Sequence, residues 1–501
     1  MVQISPIHNV SVNKSNIENL FFMRKYFVIS YGVFLMLYEI SFMTEFVSQL
    51  HFIFVLWATL IVVIDCYTRS AWILVKFKWF PVAMSGAALI TSVINCQISI
   101  IGVLKSWILL CIPLLIIYPY MFVTKNKIKE LLQVTSGIVG VTFIASLLGI
   151  YMFIFRVNVN LEKYGINKTV GLLQSVNEDG SRAWVLFGIY SDSNHAAVYS
   201  IVSMILSVIL IYAYKKRIIR KYKHCFVLFS ILNIIIQVVF FPLANSRGAW
   251  VALIVTAIVV LLMESYFIIK KKKLKGCMDI ILMSGVIIIS LCVLIGIRNE
   301  VAQISDYIYN EKHQEKSEAD IYQDINNELE ANKTEETQYE VLHVQENENT
   351  FEKKEKINIR LYYWEEALKI FENRPIWGTS SVGYQHYAEK YNVGYYLKEG
   401  RCIHNSYIEL LTGYGVCGTI IYFVFMCLAL GCIVQCLSKD IEYKVMYYCV
   451  LFILGCVMIQ GLFLSNLFIN TTLMQYLMLL MLSYLVSSNV KYIKQSGNMS
   501  R

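Results

Sequence analysis

The chain has 501 residues, of which 57% are hydrophobic and 16% charged, and its formal net charge is +9. Soluble domains carry about 25% charged residues, so this composition excludes a water-soluble globular protein. The apolar residues fall in runs of about 18 to 25, the length that an α-helix needs to cross roughly 30 Å of hydrocarbon.

From these runs we predict an all-α polytopic membrane protein with about twelve transmembrane helices. Residues 1–25 are polar, and the first apolar run, residues 26–42, lacks a small-residue cleavage site, so we predict a cytoplasmic segment followed by a first helix that is retained. The predicted spans are residues 26–44, 50–67, 79–97, 102–122, 131–155, 194–214, 224–242, 247–269, 277–297, 404–436, 446–464 and 467–487. The spans within 26–297 form one group, those within 404–487 a second, and residues 488–501 form a cytoplasmic tail.

Lysine and arginine are distributed unevenly between the two sets of connections. The connections predicted to be inner all carry basic residues, most densely in 215–223 and 270–273. The short connections predicted to be outer, residues 45–49, 98–101, 243–246 and 465–466, carry none. By the positive-inside rule, both termini are predicted to be cytoplasmic. The positive net charge then reflects topology and does not indicate a nucleic-acid partner.

Two outer segments are long, residues 156–193 and 298–403. Within the second, residues 311–356 are rich in Glu, Asn, Gln and Lys and are predicted to form a mobile or weakly helical acidic insert. From Ile357 onward, apolar residues recur at helical spacing until Pro375. This predicts an amphipathic helix that lies flat against the membrane or the bundle.

The first candidate site is Arg247, within Phe241-Pro-Leu-Ala-Asn-Ser-Arg-Gly-Ala-Trp250. It stands at the predicted outer mouth of a helix, where free backbone N–H groups and a guanidinium favour an anion, particularly phosphate. An interfacial arginine that reaches the lipid headgroups is an equally good interpretation of its position.

The second candidate is His404, where the large outer loop meets the next helix, in Cys402-Ile-His-Asn-Ser-Tyr-Ile-Glu-Leu-Leu-Thr-Gly-Tyr-Gly-Val-Cys-Gly418. Its imidazole is suited to accept a proton from a sugar hydroxyl, although a histidine at a helix start is more often a cap-region residue. Glu409, deeper in the same helix, either orients the imidazole or pairs with another helix.

Two further segments have plain structural interpretations when each is taken alone. Arg360-Leu-Tyr-Tyr-Trp-Glu-Glu-Ala-Leu-Lys-Ile-Phe-Glu-Asn-Arg-Pro-Ile-Trp-Gly378 fits a surface helix with a solvated charged face. Ser191-Asp-Ser-Asn-His-Ala196 opens a helix, with Asp192 or Ser193 as its N-cap. The aromatic residues of the large outer loop suit sugar stacking and interfacial anchoring equally.

The four segments together, in this order and with the large loop before the histidine, resemble the O-antigen ligase/polymerase family of bacterial membranes. The resemblance covers roughly residues 185–425. It implies a fold related to the GT-C class, in the bacterial cytoplasmic membrane. It also implies transfer of a glycan from a polyprenyl-pyrophosphate carrier, on the outer face, to another carrier-linked glycan (polymerase) or to a lipid or protein acceptor (ligase).

Carried over to this chain, the resemblance implies that Arg247 and Arg360 bind pyrophosphate and that His404 is the base. The candidate substrate-binding residues are Asn194, Asn405, Glu409 and Trp364, together with the two arginines. Pyrophosphate is a good leaving group, so the predicted mechanism is an inverting displacement without a cofactor. No metal is predicted, because the outer segments show no Asp-x-Asp pair. The expected partners are the lipid bilayer and carrier-linked donor and acceptor glycans, with a chain-length regulator and a flippase as candidates.

Two other classes of protein stay open. A flippase or transporter has a similar number of helices, and Glu39, Asp65 and Glu264 lie in or at the ends of predicted spans. The second class is a membrane anchor that displays residues 311–356 to a partner. Deletion of this insert distinguishes the two interpretations, because an enzyme should tolerate the loss better than an interaction protein. Within the enzyme class, polymerase and ligase are not distinguished.

Overall fold

The structure is a computed structural model, and most of its described residues are helical. It describes residues 14–68, 74–95, 100–124, 126–161, 169–176, 182–216, 223–272, 288–301, 360–380, 383–438, 444–465 and 472–488, and a few isolated positions between them. The predicted insert at 311–356 lies outside the described residues.

The helices and strands follow one another as two helical groups with a small sheet inside the first. The first group is α1 (Lys14–Tyr38), α2 (Thr44–Gln49), α3 (His51–Thr68), α4 (Trp79–Ile94), α5 (Ile100–Ile112), α6 (Tyr118–Val123), α7 (Lys127–Ile154), β1 (Asn158–Asn160), β2 (Thr169–Val176), β3 (Arg182–Gly188), α8 (Ser193–Lys215), α9 (Lys223–Leu243) and α10 (Arg247–Lys272). Residues 288–301 are also helical. The second group is α11 (Arg360–Asn373), α12 (Gly383–Tyr391), α13 (Ser406–Leu437), α14 (Lys444–Gln460) and α15 (Leu473–Ser487).

The described helices are those of a membrane protein. Six stretches are long and apolar enough to cross a bilayer, namely Thr44–Tyr67, Lys127–Ile154, Ser193–Lys215, His224–Leu243, Arg247–Ile269 and Ser406–Leu437, and four shorter apolar helices accompany them. Large apolar side chains point away from the bundle, among them Phe423 (68% exposed), Leu262 (62%) and Leu228 (60%). Such outward faces are stable in lipid and costly in water. A total of about twelve crossings and a GT-C fold stay predictions.

The structure adds three details to the predicted helices. The first helix begins at Lys14, within the segment predicted to precede it. A π-helical turn, Pro113–Ile117, interrupts the span predicted at 102–122, because Pro113 has no backbone N–H to donate. The outer segment 156–193, for which no strand was predicted, holds the antiparallel sheet β1-β2-β3. Val170 and Leu172, which stand two positions apart on β2, are both buried.

Buried polar side chains join α7, α8 and α9. The Asn233 amide donates to the hydroxyls of Ser203 (3.0 Å) and Ser207 (2.8 Å). Gln237 donates to Asn233 (3.0 Å) and accepts from the hydroxyl of Ser146 (2.9 Å). Because lipid supplies no competing hydrogen bonds, a connected network of this kind fixes which helices are neighbours.

The amphipathic helix predicted after Ile357 is confirmed as α11, which ends before Pro375. The chain that follows, residues 375–380, packs along a break in α13. Four main-chain hydrogen bonds join them: Val416 N to Pro375 O (2.8 Å), Cys417 N to Ile376 O (3.2 Å), Thr379 N to Thr412 O (3.1 Å) and Ser380 N to Gly413 O (2.8 Å). The same segment also accepts two hydrogen bonds from α4 and the residue that follows it. The Thr91 hydroxyl donates to Trp377 O (2.8 Å), and the Asn95 side-chain amide donates to Gly378 O (3.1 Å). We call this arrangement the 375–380 clamp.

The clamp depends on two glycines. Gly415 has φ 62° and ψ −164°, a conformation essentially confined to glycine, and it breaks the helical geometry of α13. A Cβ at Gly415 would lie 2.4 Å from Ile376 O, and one at Gly378 (φ 68°) would lie 2.5 Å from Gly413 O. Only a residue without a side chain allows the two backbones to approach this closely.

We therefore predict that Gly415→Ala and Gly378→Ala destabilise the protein by about 1–3 kcal/mol or more, since each adds backbone strain and a steric clash. Gly431→Ala, also in α13, is the matched control, because nothing lies within 4 Å of its Cβ position. The measurement is the thermal unfolding midpoint of purified protein in detergent. Equal midpoints for the three variants would contradict this account of the clamp.

Candidate functional site

The motif at Ser191–Ala196 and the motif around Arg247 meet at one end of the bundle. Asp192 is the N-cap of α8, as predicted, and its carboxylate accepts from Asn194 N (2.6 Å). The Asn194 side-chain oxygen accepts from the Ser246 hydroxyl (2.6 Å), and Ser246 Oγ in turn accepts from Ala249 N (3.2 Å) in the first turn of α10. The charge pattern predicts that this end faces away from the cytoplasm, and we call it the outer end.

Arg247 is the first residue of α10, as predicted, and its side chain is exposed. The Asn194–Ser246 hydrogen bond fixes the chain immediately before it. Because the N-terminus of a helix carries partial positive charge, the guanidinium and the first turn of α10 together favour an anion. Its role in pyrophosphate binding stays a prediction.

The backbone around His404 is held on several sides. His404 itself has φ 54°, a conformation uncommon for a residue with a side chain, and its N–H donates to Ser465 Oγ (2.8 Å). The Trp364 indole of α11 donates to Ile403 O (3.1 Å). Asn405 is the N-cap of α13, and its side-chain oxygen accepts from two N–H groups of the first turn. These contacts fix the imidazole at the junction of α11 and α13.

The charged groups near His404 come from two of the other motifs and from Arg401, which precedes the His404 motif. The pKa of His404 is lowered from its usual 6.5. Burial is the largest cause, and the positive charge of the Arg360 guanidinium is the second largest. Asp192 raises this pKa, whereas His195 and Arg401 lower it. Arg360, the first residue of α11, and the start of α8 are thus electrostatic neighbours of His404. The imidazole is neutral near pH 7, the form that can accept a proton.

Two residues of this region were absent from the predicted site. His195 Nδ1 lies 3.1 Å from Glu39 Oε2, and the Tyr199 hydroxyl donates to Glu39 Oε1 (2.9 Å). Main-chain hydrogen bonds also tie the end of α1 to the chain before α8, from Ser191 N to Glu39 O (3.1 Å). Two features of the sequence could have indicated this pair: Glu39 is a carboxylate at the end of an apolar span, and His195 lies within the motif Ser191–Ala196.

The predicted substrate-binding residues Asn405 and Glu409 face inward. The Asn405 side chain, 6% exposed, serves as the helix cap described above. Glu409 is fully buried, and its charge helps to raise the pKa of Tyr384 and of Cys402, although burial is the main cause in both cases. Glu409 therefore lies beside α12 and the chain before His404. For both residues, substrate contact stays a prediction.

The electrostatic neighbours of His404 can be tested with a pair of charge-removing variants. Asp192→Asn keeps the N-cap but removes a negative charge, so the pKa of His404 should fall. Arg401→Gln removes a positive charge, so the same pKa should rise toward 6.5. The pH dependence of His404 modification by diethyl pyrocarbonate, followed by mass spectrometry, measures both shifts. Shifts of the same sign in the two variants would contradict the geometry.

Comparison with protein families finds a match for part of this chain. Residues 232–423 match the family described as O-antigen ligase, which confirms the family recognised from the motifs. The matched range contains Arg247, Arg360 and His404, whereas Glu39 and the start of α8 lie outside it. Comparison with curated proteins finds no match.

Proposed function

We propose that this chain, whose residues 232–423 match the O-antigen ligase family, polymerises polyprenyl-pyrophosphate-linked oligosaccharide repeat units into a surface polysaccharide. It does so on the outer face of the bacterial cytoplasmic membrane, with both termini in the cytoplasm. The observation that carries the proposal is the position of His404 at the outer end of an apolar bundle, where burial and then the guanidinium of Arg360 lower the pKa of its imidazole. The alternative within the family is a ligase that transfers the glycan to a lipid or protein acceptor.

The two arginines act on the donor. The pyrophosphate of a lipid-linked glycan carries negative charge at the membrane surface, and that charge increases as the glycosidic bond breaks. Arg247 at the start of α10 and Arg360 at the start of α11 supply fixed positive charge. Positive charge placed in advance stabilises a departing anion without reorganisation during the reaction, so leaving-group departure needs no protonation by the protein.

His404 acts on the acceptor. As the acceptor hydroxyl oxygen forms a bond to the anomeric carbon of the donor, its proton passes to the imidazole, and the carrier pyrophosphate leaves with the electron pair of the broken bond. A single displacement of this kind inverts the anomeric configuration. Because burial and then Arg360 lower the pKa of His404, the rate should fall as the pH is lowered through that pKa and the imidazole is protonated, and this fall should lie at a lower pH than for an ordinary histidine.

The contacts of the buried carboxylates favour an enzyme over a flippase. Asp65 pairs with Arg24, Glu264 with Lys444 (3.0 Å) and Glu39 with His195 (3.1 Å). A charge that carries a substrate or an ion through the membrane must exchange partners, whereas these carboxylates are held in ion pairs that link helices. Residues 311–356 are accordingly proposed to be dispensable for transfer.

The mechanism predicts the behaviour of three variants in cells that make the polysaccharide. Arg247→Ala and Arg360→Ala should each lower transfer roughly 10²- to 10³-fold by removing preorganised charge. His404→Ala should lower it roughly 10²- to 10⁴-fold by removing the base. The measurement is gel sizing of carrier-linked and surface glycans, normalised to the amount of each variant in the membrane.

Matched controls are Arg298→Ala, at an exposed residue, and His386→Ala, at a half-buried one, and both should leave glycan length unchanged. Accumulation of single carrier-linked repeat units in the three site variants supports a polymerase. Long chains that stay on the carrier indicate a ligase instead. Wild-type glycans from all three inserted variants would contradict the proposed site and favour a transporter.

A further inference from the structure

A group of tyrosine rings lies next to His404 on the side away from the bundle core. The ring centroids of Tyr363 and His404 are 6.0 Å apart, and those of Tyr363 and Tyr396 are 5.2 Å apart. Tyr396 also contacts Tyr395 (5.3 Å) and Tyr362 (6.3 Å). The rings thus form a continuous series that begins at the buried Tyr363 and ends at Tyr395, which is 55% exposed.

The loop that carries two of these rings is fixed by one buried carboxylate. Glu366 of α11 accepts hydrogen bonds from the backbone N–H groups of Tyr395 (2.7 Å), Tyr396 (3.2 Å) and Leu397 (2.9 Å). Gly394 has φ 77°, and a Cβ there would lie 2.7 Å from the same carboxylate. The close approach of loop and helix therefore requires both the glycine and the acid.

A membrane-interface belt does not need such a fixed loop. Interfacial tyrosines anchor a protein singly, each with its ring at the headgroup level. Here the rings contact one another and lead to a candidate base, and two of them stand on a loop whose position is set by three charge-assisted hydrogen bonds. A rigid aromatic surface beside a reacting group is typical of a ligand site, in which aromatic faces supply area and a few polar groups supply orientation.

We propose that Tyr362, Tyr395 and Tyr396 form a binding platform for the acceptor glycan, and that Glu366 is its positioning residue. The inference rests on the proposed function, in which His404 takes the proton of the acceptor hydroxyl. The sugar that bears this hydroxyl must lie at His404, so the rest of the acceptor glycan extends over the rings next to it. Sugar rings have apolar C–H faces that pack on tyrosine rings, while their hydroxyl groups remain hydrated.

The direct test is glycan binding to the full chain in lipid nanodiscs. The probe is the oligosaccharide released by mild acid from the host's own lipid-linked repeat unit, which carries no pyrophosphate and so does not depend on the arginines. Saturation-transfer NMR measures its Kd. Tyr395→Ala and Tyr362→Ala should each weaken binding roughly two- to tenfold, the range of one aromatic contact. Tyr395→Phe should retain binding, because the ring face makes the contact.

Two matched variants control for general damage. Tyr391 is an exposed tyrosine on α12 whose ring packs at a tilt against Tyr387 (4.5 Å between centroids) outside the platform, and Tyr391→Ala should bind as wild type. Glu366→Gln should weaken binding with all rings intact, since an amide offers one acceptor oxygen in place of two. Glu365→Gln should not, because Glu365 is exposed and pairs with Lys369 (2.8 Å). If the Glu366→Gln protein does not insert into the membrane, the Kd of Tyr395→Ala decides the test, because Tyr395 is exposed.

The proposal is overturned if wild-type protein does not bind the oligosaccharide, or if the Tyr362→Ala/Tyr395→Ala double variant binds it with unchanged Kd. It is also overturned if the double variant changes only lipid association, which would assign the rings to the membrane interface. Failure of the proposed function is a separate result. In that case the platform variants weaken glycan binding as expected, but His404→Ala transfers glycan as wild type does.

Discussion

The outer end of this protein depends on a close approach between two stretches of backbone, the 375–380 clamp and the break in α13 at Gly415. Inside a lipid-embedded helix, an interruption leaves N–H and C=O groups that water cannot satisfy, so another chain must supply partners. Residues 375–380 do this with four main-chain hydrogen bonds, and α4 anchors the same segment from the other side. The clamp fixes the end of α11 against α13. Arg360 is the first residue of α11, and His404 lies immediately before α13.

The proposed site is assembled from parts of the chain that are far apart in sequence. The end of α1 contributes Glu39, which holds His195 and Tyr199 at the start of α8. That start is joined through Asn194 and Ser246 to the helix that Arg247 opens. Asp192 and His195 act electrostatically on His404. A change in α1 can therefore alter the surroundings of the candidate base although the two are remote in sequence.

The sequence allowed prediction of those features that follow from local pattern. Runs of apolar residues predicted the helices, the spacing after Ile357 predicted α11, and the motif Ser191–Ala196 predicted the cap at Asp192. The sheet between residues 158 and 188 was missed, because it gains stability by packing on α7. The pairing of His195 with Glu39 and the three bonds that Glu366 accepts were not predictable either. They join residues whose distance is set only by the tertiary fold.

The central claim is that the residues at the outer end form and break a glycosidic bond. Purified protein in nanodiscs, supplied with lipid-linked glycan as donor and acceptor, allows the carrier pyrophosphate released to be counted against the glycosidic bonds formed. The account predicts one carrier released for each bond, with loss of both in Arg360→Ala and His404→Ala. Passage of intact lipid-linked glycan across the bilayer of reconstituted vesicles, without release of carrier, would contradict it.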